Sequence, residues 1–241
     1  AAGQPDIPVF SGADKPLLGE TRQPHIRETP VLKNWPHQSD IKPNGAIDFL
    51  RKTIRERPGE ITLLAIGPLT NIALLFAIDP AIPDLLKQLV IMGGVYFWQR
   101  SREPVEWNTI NDVYASARVF DTAIDNVTVV GLDIGRECWL EGGECRRRLY
   151  RHRDDDLMRL VIELGKANFL KREVYFCDPL AGAVIFEPDL CQYQFGSVTV
   201  NYDYEPGTTH FHPQRPPHTV ASSVNCDRFF DHFFSILHEE G

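Results

Sequence analysis

The sequence predicts an α/β fold: three layers, with a mostly parallel open sheet covered by helices on both faces. Three observations predict it. Short apolar runs at Ile61–Ile66, Leu89–Met92 and Val127–Leu132 have the continuous hydrophobicity of strands buried on both sides. They alternate with segments of helical period, an order that requires crossover helices and parallel strands. The first two runs lead into glycine, at Gly67-Pro68-Leu69-Thr70-Asn71 and Met92-Gly93-Gly94, so their carboxyl ends deliver backbone and polar groups to one crevice.

The other elements follow in order. Ile7–Phe10 reads as a short strand leading into the turn-rich Ser11-Gly12-Ala13-Asp14-Lys15-Pro16. Residues 19–44 are polar, proline-punctuated and without period, which suggests a long surface loop. Asn44 is placed to cap a helix through Arg57, with Ile47, Leu50 and Ile54 on one face and Pro58-Gly59 as its stop. Helices are expected at Thr70–Ile78 and Val113–Thr122, and a longer helical region at Glu144–Lys171. Pro179–Phe186 begins with a proline suited to a first helical turn. Strands at Val198–Tyr202 and Val220–Val224 and a closing helix at Arg228–Leu237 complete a single domain over residues 1–241.

At 241 residues, 43% hydrophobic and 24% charged, the composition is that of a globular protein with a full-sized core. A formal net charge of -8 argues against a nucleic-acid backbone as partner, since phosphate contacts need clustered Lys and Arg. The basic run Arg146-Arg147-Arg148 with Arg151 and Arg153 is followed at once by Asp154-Asp155-Asp156, which reads as a solvated face of mixed charge. No stretch has the 18 or so apolar residues that would span a membrane, and Ala1-Ala2-Gly3-Gln4 opens without a signal-peptide pattern. Cys138, Cys145, Cys177, Cys191 and Cys226 form neither a CxxC pair nor a zinc spacing with His, which fits a reducing compartment and a cytoplasmic location. The glycosylation sequon Asn126-Val127-Thr128 runs into a buried strand and reads as chance.

Neither a Walker A nor a GxGxxG nor a GxSxG pattern occurs. His210 and His212, with His218 beyond, lack a further metal ligand at sensible spacing and read as surface-loop residues. What remains is a polar constellation at strand ends. Glu106 and Asn108 follow the Met92 strand, and in an extended segment their alternate spacing points both side chains the same way. A carboxylate and an amide pointing together suit a polyhydroxylated ligand such as a sugar. Asp178, ahead of Pro179, reads by itself as a helix N-cap.

Taken as a set, Ala65-Ile66-Gly67-Pro68-Leu69-Thr70-Asn71-Ile72-Ala73-Leu74, Val90-Ile91-Met92-Gly93-Gly94, Glu106-Trp107-Asn108, Val130-Gly131-Leu132-Asp133 and Asp178-Pro179-Leu180-Ala181 closely resemble the nucleoside hydrolases, the inosine–uridine-preferring N-ribohydrolase family. The words fall in family order, and Ile7 to Pro16 is similar to the family's second strand and following turn. The resemblance implies hydrolysis of the N-glycosidic bond of ribonucleosides to ribose and free base. It also implies a calcium ion that holds the attacking water and the ribose diol at the carboxyl ends of the sheet. On this chain it makes Asp178 and the backbone carbonyl of Ile66 metal ligands, and Met92, Glu106 and Asn108 ribose contacts. A homo-oligomer, with a small nucleoside as the partner molecule, completes the expectation.

The chain departs from the family pattern at three points. The family opens with an aspartate-rich strand and turn, DxDPGxDD, supplying most metal ligands and the general base; Asp6 and Asp14 fall in the second-strand region and do not map onto it. The first strand is thus expected to be absent, which exposes ladder groups and apolar faces unless another segment fills its place. The position before Asp178, usually His and the candidate acid for the leaving base, is Cys177. A ribose-binding Asn position falls on Arg100, whose fixed positive charge opposes a cation. These departures give a second expectation: a non-catalytic nucleoside hydrolase-like protein that binds a ligand or partner without turnover.

Overall fold

The computed structural model describes residues 6–22, 29–33, 35–36, 41, 45–97 and 103–237. Its helices are α1 (Thr29–Leu32), α2 (Gly45–Glu56), α3 (Thr70–Ile78), α4 (Ile82–Leu85), α5 (Trp107–Asn111), α6 (Val113–Phe120), α7 (Leu132–Gly135), α8 (Gly142–Leu149), α9 (Asp156–Gly165), α10 (Cys177–Ala183) and α11 (Cys226–Ile236). Its strands are β1 (Thr62–Ala65), β2 (Gln88–Met92), β3 (Val127–Val130), β4 (Trp139–Leu140), β5 (Val174–Tyr175), β6 (Cys191–Val200), β7 (Thr209–Pro213) and β8 (His218–Val224).

Among the described residues the main sheet has six strands, in the order β1-β2-β3-β8-β6-β7. The pairs β1–β2, β2–β3 and β3–β8 are parallel, whereas β6 pairs antiparallel with both β8 and β7. Alternation along the strands divides the core in two. Leu89 and Ile91 of β2, with Val127 and Val129 of β3, join Ile54, Ile72, Phe76 and Phe120 from α2, α3 and α6. Val90 and Met92, with Val130, join Ile134, Met158, Leu180 and Phe229 from α7, α9, α10 and α11. Successive side chains of a strand point to opposite faces, so this split is the three-layer arrangement the sequence predicts. Antiparallel β4 and β5 form a separate two-stranded sheet.

Helix α2 is fixed to the end of α3 by Asp79, whose buried carboxylate accepts from Arg51 Nε at 2.7 Å and Arg55 Nη2 at 2.6 Å. The two guanidiniums hold that carboxyl well below the usual range. The chain leaves α2 through Gly59, whose positive φ of 76° a side chain would oppose.

Several expectations are corrected. Ile7–Phe10 is irregular, not a strand. Pro8 has no N–H for a ladder, Phe10 stacks on Phe49 of α2 at 4.4 Å, and Ala46 N donates to Ser11 O at 3.0 Å, so the segment is bound to a helix. The long loop contains the helical turn α1, while the Asn44 cap lies outside the described residues. Glu144–Lys171 is broken into α8, a 3-10 turn at Tyr150–His152, α9 and a second 3-10 turn at Asn168–Leu170. Asp155 restarts the helix by accepting from Met158 N at 2.8 Å, the competition with backbone that makes Asp a capping residue. His210 and His212 lie on the antiparallel strand β7, not in a loop.

Strand β1 is an edge strand, with Leu64 and Ile66 among the exposed large hydrophobics at 36% and 44%. Among the described residues no helix is long and apolar enough to cross a membrane.

Candidate functional site

The carboxyl ends of β1, β2 and β3 lie side by side because Ala65 pairs with Ile91 and Met92 with Val130. After β2 the chain turns through Gly93 and Gly94, and Leu132 N donates to Gly94 O at 2.8 Å, which joins the ends of β2 and β3. Gly94 has φ 77°, and a Cβ there would overlap the Tyr96 ring. The close packing of Tyr96 on Gly94 and Gly131 forms the floor beneath the strand ends. Gly94→Ala is expected to destabilise the chain by roughly 2 kcal/mol, from positive φ and overpacking together. The shift of its urea midpoint measures this, and an unchanged midpoint would contradict the packing.

Glu106 is not in an extended segment but is the N-cap of α5, which places Asn108 in the first helical turn. The helix brings both groups to the end of β2 all the same. Asn108 Nδ2 donates to the Met92 carbonyl at 3.1 Å and lies 3.5 Å from Met92 Sδ. Glu106, 2% exposed, accepts through Oε2 from Thr109 N at 2.9 Å, Thr109 Oγ1 at 3.1 Å and Gly94 N at 3.3 Å. Oε1 accepts from Asn108 N at 2.6 Å. Burial pushes the Glu106 carboxyl up, and these donors oppose the shift. Four donors already meet the roughly four acceptor sites of a carboxylate, but unevenly, with three on Oε2 and one on Oε1 among the described residues, so any further hydroxyl donor would meet Oε1.

Helix α10 packs against β2 and β3. Its N-cap is Phe176, so Asp178 lies in the first helical turn rather than at the cap, contrary to the cap expectation. Asp178 is exposed, and the protein packed beside it raises its carboxyl. Cys177 is half-buried; burial, then the charges of Asp178 and Glu106, push its thiol up to about 12 while Arg136 opposes. Cys177 is thus within electrostatic reach of both Asp178 and Glu106. Ile66 follows β1 at the same end of the sheet. Arg100 lies outside the described residues.

A cleft of about 160 Å³ opens at the end of β1, lined by Asp14, Lys15, Pro68, Thr70, Asn71 and Asn111 among others. Met92, Glu106, Asn108, Cys177 and Asp178 do not line it. Behind this cleft lies Asp112, the N-cap of α6, a position that an acid directly before a helix signals in sequence. Asp112 accepts from Thr70 Oγ1 at 2.7 Å, Leu17 N at 2.8 Å and Ala115 N at 3.0 Å, joining α3, the 6–22 segment and α6. Asn71 Oδ1 holds Ala13 N at 2.8 Å. Asp133, which closes one of the family-like words but has no role readable from sequence, is buried, and its Oδ2 accepts from Phe97 N at 2.7 Å.

Calcium requires roughly six to eight oxygen ligands. Asp178 and the Ile66 carbonyl cannot supply these, and no group of three or more His, Cys, Asp or Glu suited to a metal ion occurs among the described residues. The residues described do not by themselves fit a calcium ion.

Comparison with known proteins gives a consistent picture. The family model described as inosine-uridine preferring nucleoside hydrolase matches residues 1–231. Uridine nucleosidase 1 of Arabidopsis thaliana is 32% identical over 224 residues, covering 83% of this chain, and the chain spans only 62% of that relative's length. Among solved structures, a plant nucleoside hydrolase has a TM-score of 0.81 at 27% identity, with 99% of this chain and 82% of that one covered. An inosine-uridine preferring nucleoside hydrolase from Bacillus anthracis has a TM-score of 0.70 at 25% identity, with 86% and 69% covered.

Proposed function

Since the chain belongs to the inosine-uridine preferring nucleoside hydrolase family, we propose that the protein hydrolyses the N-glycosidic bond of ribonucleosides, releasing ribose and free base. The observation that carries this reading is the convergence of Met92, Glu106 and Asn108 at the end of β2, tied by the 3.1 Å bond from Asn108 to the Met92 carbonyl. In the proposed reaction the bond from the anomeric carbon to the base nitrogen breaks while a water oxygen bonds to that carbon. Positive charge develops on the ribose ring as the base departs. Ribose hydroxyls donating to the buried Glu106 carboxylate, and held by Asn108, stabilise that charge more than the ground state.

In this reading Asp178 orients a ribose hydroxyl, and Asp178 with the Ile66 carbonyl would be two of the several oxygen ligands a calcium ion needs. The five thiols, all free, accord with a reducing compartment, and we assign the protein to the cytoplasm, acting as a homo-oligomer.

The second reading, a protein that binds without turnover, is favoured by Cys177. A thiol pushed up to about 12 stays protonated at neutral pH and is a weak acid for a departing base. Ribose release from uridine, inosine and a chromogenic riboside, with calcium and with chelator, decides between them. Release that disappears in Asp178→Ala is the expected result. A folded sample that binds these nucleosides and releases no ribose overturns the hydrolase reading and leaves the binding one.

A further inference from the structure

Away from the strand-end site, two thiols face each other across a seam between elements distant in sequence. Cys138, which directly precedes β4, and Cys226, the first residue of α11, have their sulfurs 3.7 Å apart. Cys138 is wholly buried. Cys226 is half-buried and lines a surface depression of about 490 Å³ with Cys191, Asn225 and Asp227. Cys226 thus borders the open depression, while its sulfur lies against that of Cys138 and donates to Glu137 O at 3.3 Å. We propose that Cys138 and Cys226 form a redox modification site, oxidised by hydroperoxides to a reversible disulfide that pins α11 to the turn before β4.

The chemistry balances without a cofactor. The Cys226 thiolate attacks a peroxide oxygen; the S–O bond forms as the O–O bond breaks, and the displaced oxygen leaves as water or an alcohol. Cys138 sulfur then attacks the sulfenic sulfur; the S–S bond forms, the S–O bond breaks, and hydroxide takes the Cys138 proton and leaves as water. Two thiols lose two electrons and two protons, and the peroxide gains them. The sulfurs must approach by roughly 1.7 Å to reach bonding distance, a movement on the scale of side-chain rotation.

The link would bear on the strand-end site through one hydrogen bond. Phe176 N donates to Cys138 O at 2.9 Å, and Phe176 is the N-cap of α10, the helix that opens with Cys177 and Asp178. Reactivity is set by the thiolate fraction. Burial, with the Glu137 and Asp227 charges, pushes the Cys226 thiol up, and its hydrogen bond with Cys138 only partly opposes this. Oxidation is therefore slow at neutral pH and quickens as pH rises.

The test is mass mapping of the native chain after hydrogen peroxide, with free thiols alkylated and the digest left unreduced. Expected is a joined Cys138–Cys226 peptide pair, lighter by two hydrogens and restored by dithiothreitol. It should form at least several-fold faster at pH 9 than at pH 7, persist in Cys191→Ser and vanish in Cys226→Ser. A Cys191–Cys226 link, overoxidised Cys226 without a link, or an unreacted Cys226 in a sample folded by circular dichroism would each overturn the proposal. The wild-type map decides the matter even if a variant fails to fold.

Discussion

Glu106→Ala is expected to lower stability by roughly 4 kcal/mol, because each buried donor left without a partner costs about 1–3 kcal/mol. Truncation strands Gly94 N, Asn108 N, Thr109 N and Thr109 Oγ1 together, and the first turn of α5 loses its cap. Partial collapse and entry of water keep the loss below the sum of these terms. Glu106→Gln keeps one acceptor oxygen but turns an NH2 toward N–H donors, so it is expected to fall between Ala and wild type. Urea unfolding measures both. A loss under 1 kcal/mol for the Ala variant would mean that the four bonds are not formed. Under the proposed function, the same Gln variant, where still folded, should lower ribose release by about 10²-fold or more, the scale of removing one transition-state contact.

Acidification from pH 7 to pH 4 is expected to remove roughly 3 kcal/mol of stability through His218 alone. The side chain is buried at the start of β8, its Nδ1 accepts from Val198 N at 2.8 Å, and Phe120 packs edge-on at 5.4 Å. Burial pushes the imidazole down from its ordinary 6.5 to about 4. As pH falls below 6.5 the unfolded chain takes up the proton first, so the stabilisation present above that pH is lost progressively until about pH 4. Glu106 and Asp133 act oppositely. Burial raises their carboxyls, so the folded chain holds those protons more tightly and gains stability on acidification. The His218 contribution is therefore read as a difference. Unfolding of wild type and His218→Gln at pH 7, 5.5 and 4 should show a gap that narrows toward pH 4, and parallel curves would refute the assignment.

His218 also illustrates what the sequence leaves open. With His210 and His212 it reads as a residue of a polar loop, because nothing local tells a histidine that accepts a core amide from one in solvent. Its partner Val198 is twenty residues earlier, on a strand that meets β8 only after the sheet has formed. Asp112 and Asp133 are similar cases. Their side chains are spent on Leu17, Thr70 and Phe97, and no spacing within a short window carries that information. The pairing of Glu106 with Asn108 rests in sequence on alternation in an extended segment, whereas in the structure a helix cap brings both to the end of β2.

The sequence by itself determined the layered α/β architecture, the parallel run of β1, β2 and β3, and the polar words at their ends. Hydrophobic period and glycine placement are local properties, written wherever an element begins and stops. Tertiary structure alone decided which polar groups are consumed in holding the fold and which remain for a ligand. It gave Glu106 four internal donors, left Asp178 exposed in the first turn of α10, and brought Cys138 within 3.7 Å of Cys226. Such outcomes rest on contacts between residues far apart in sequence, as for Cys138 and Cys226 at 88 positions, and these form only once hydrophobic burial has packed the layers.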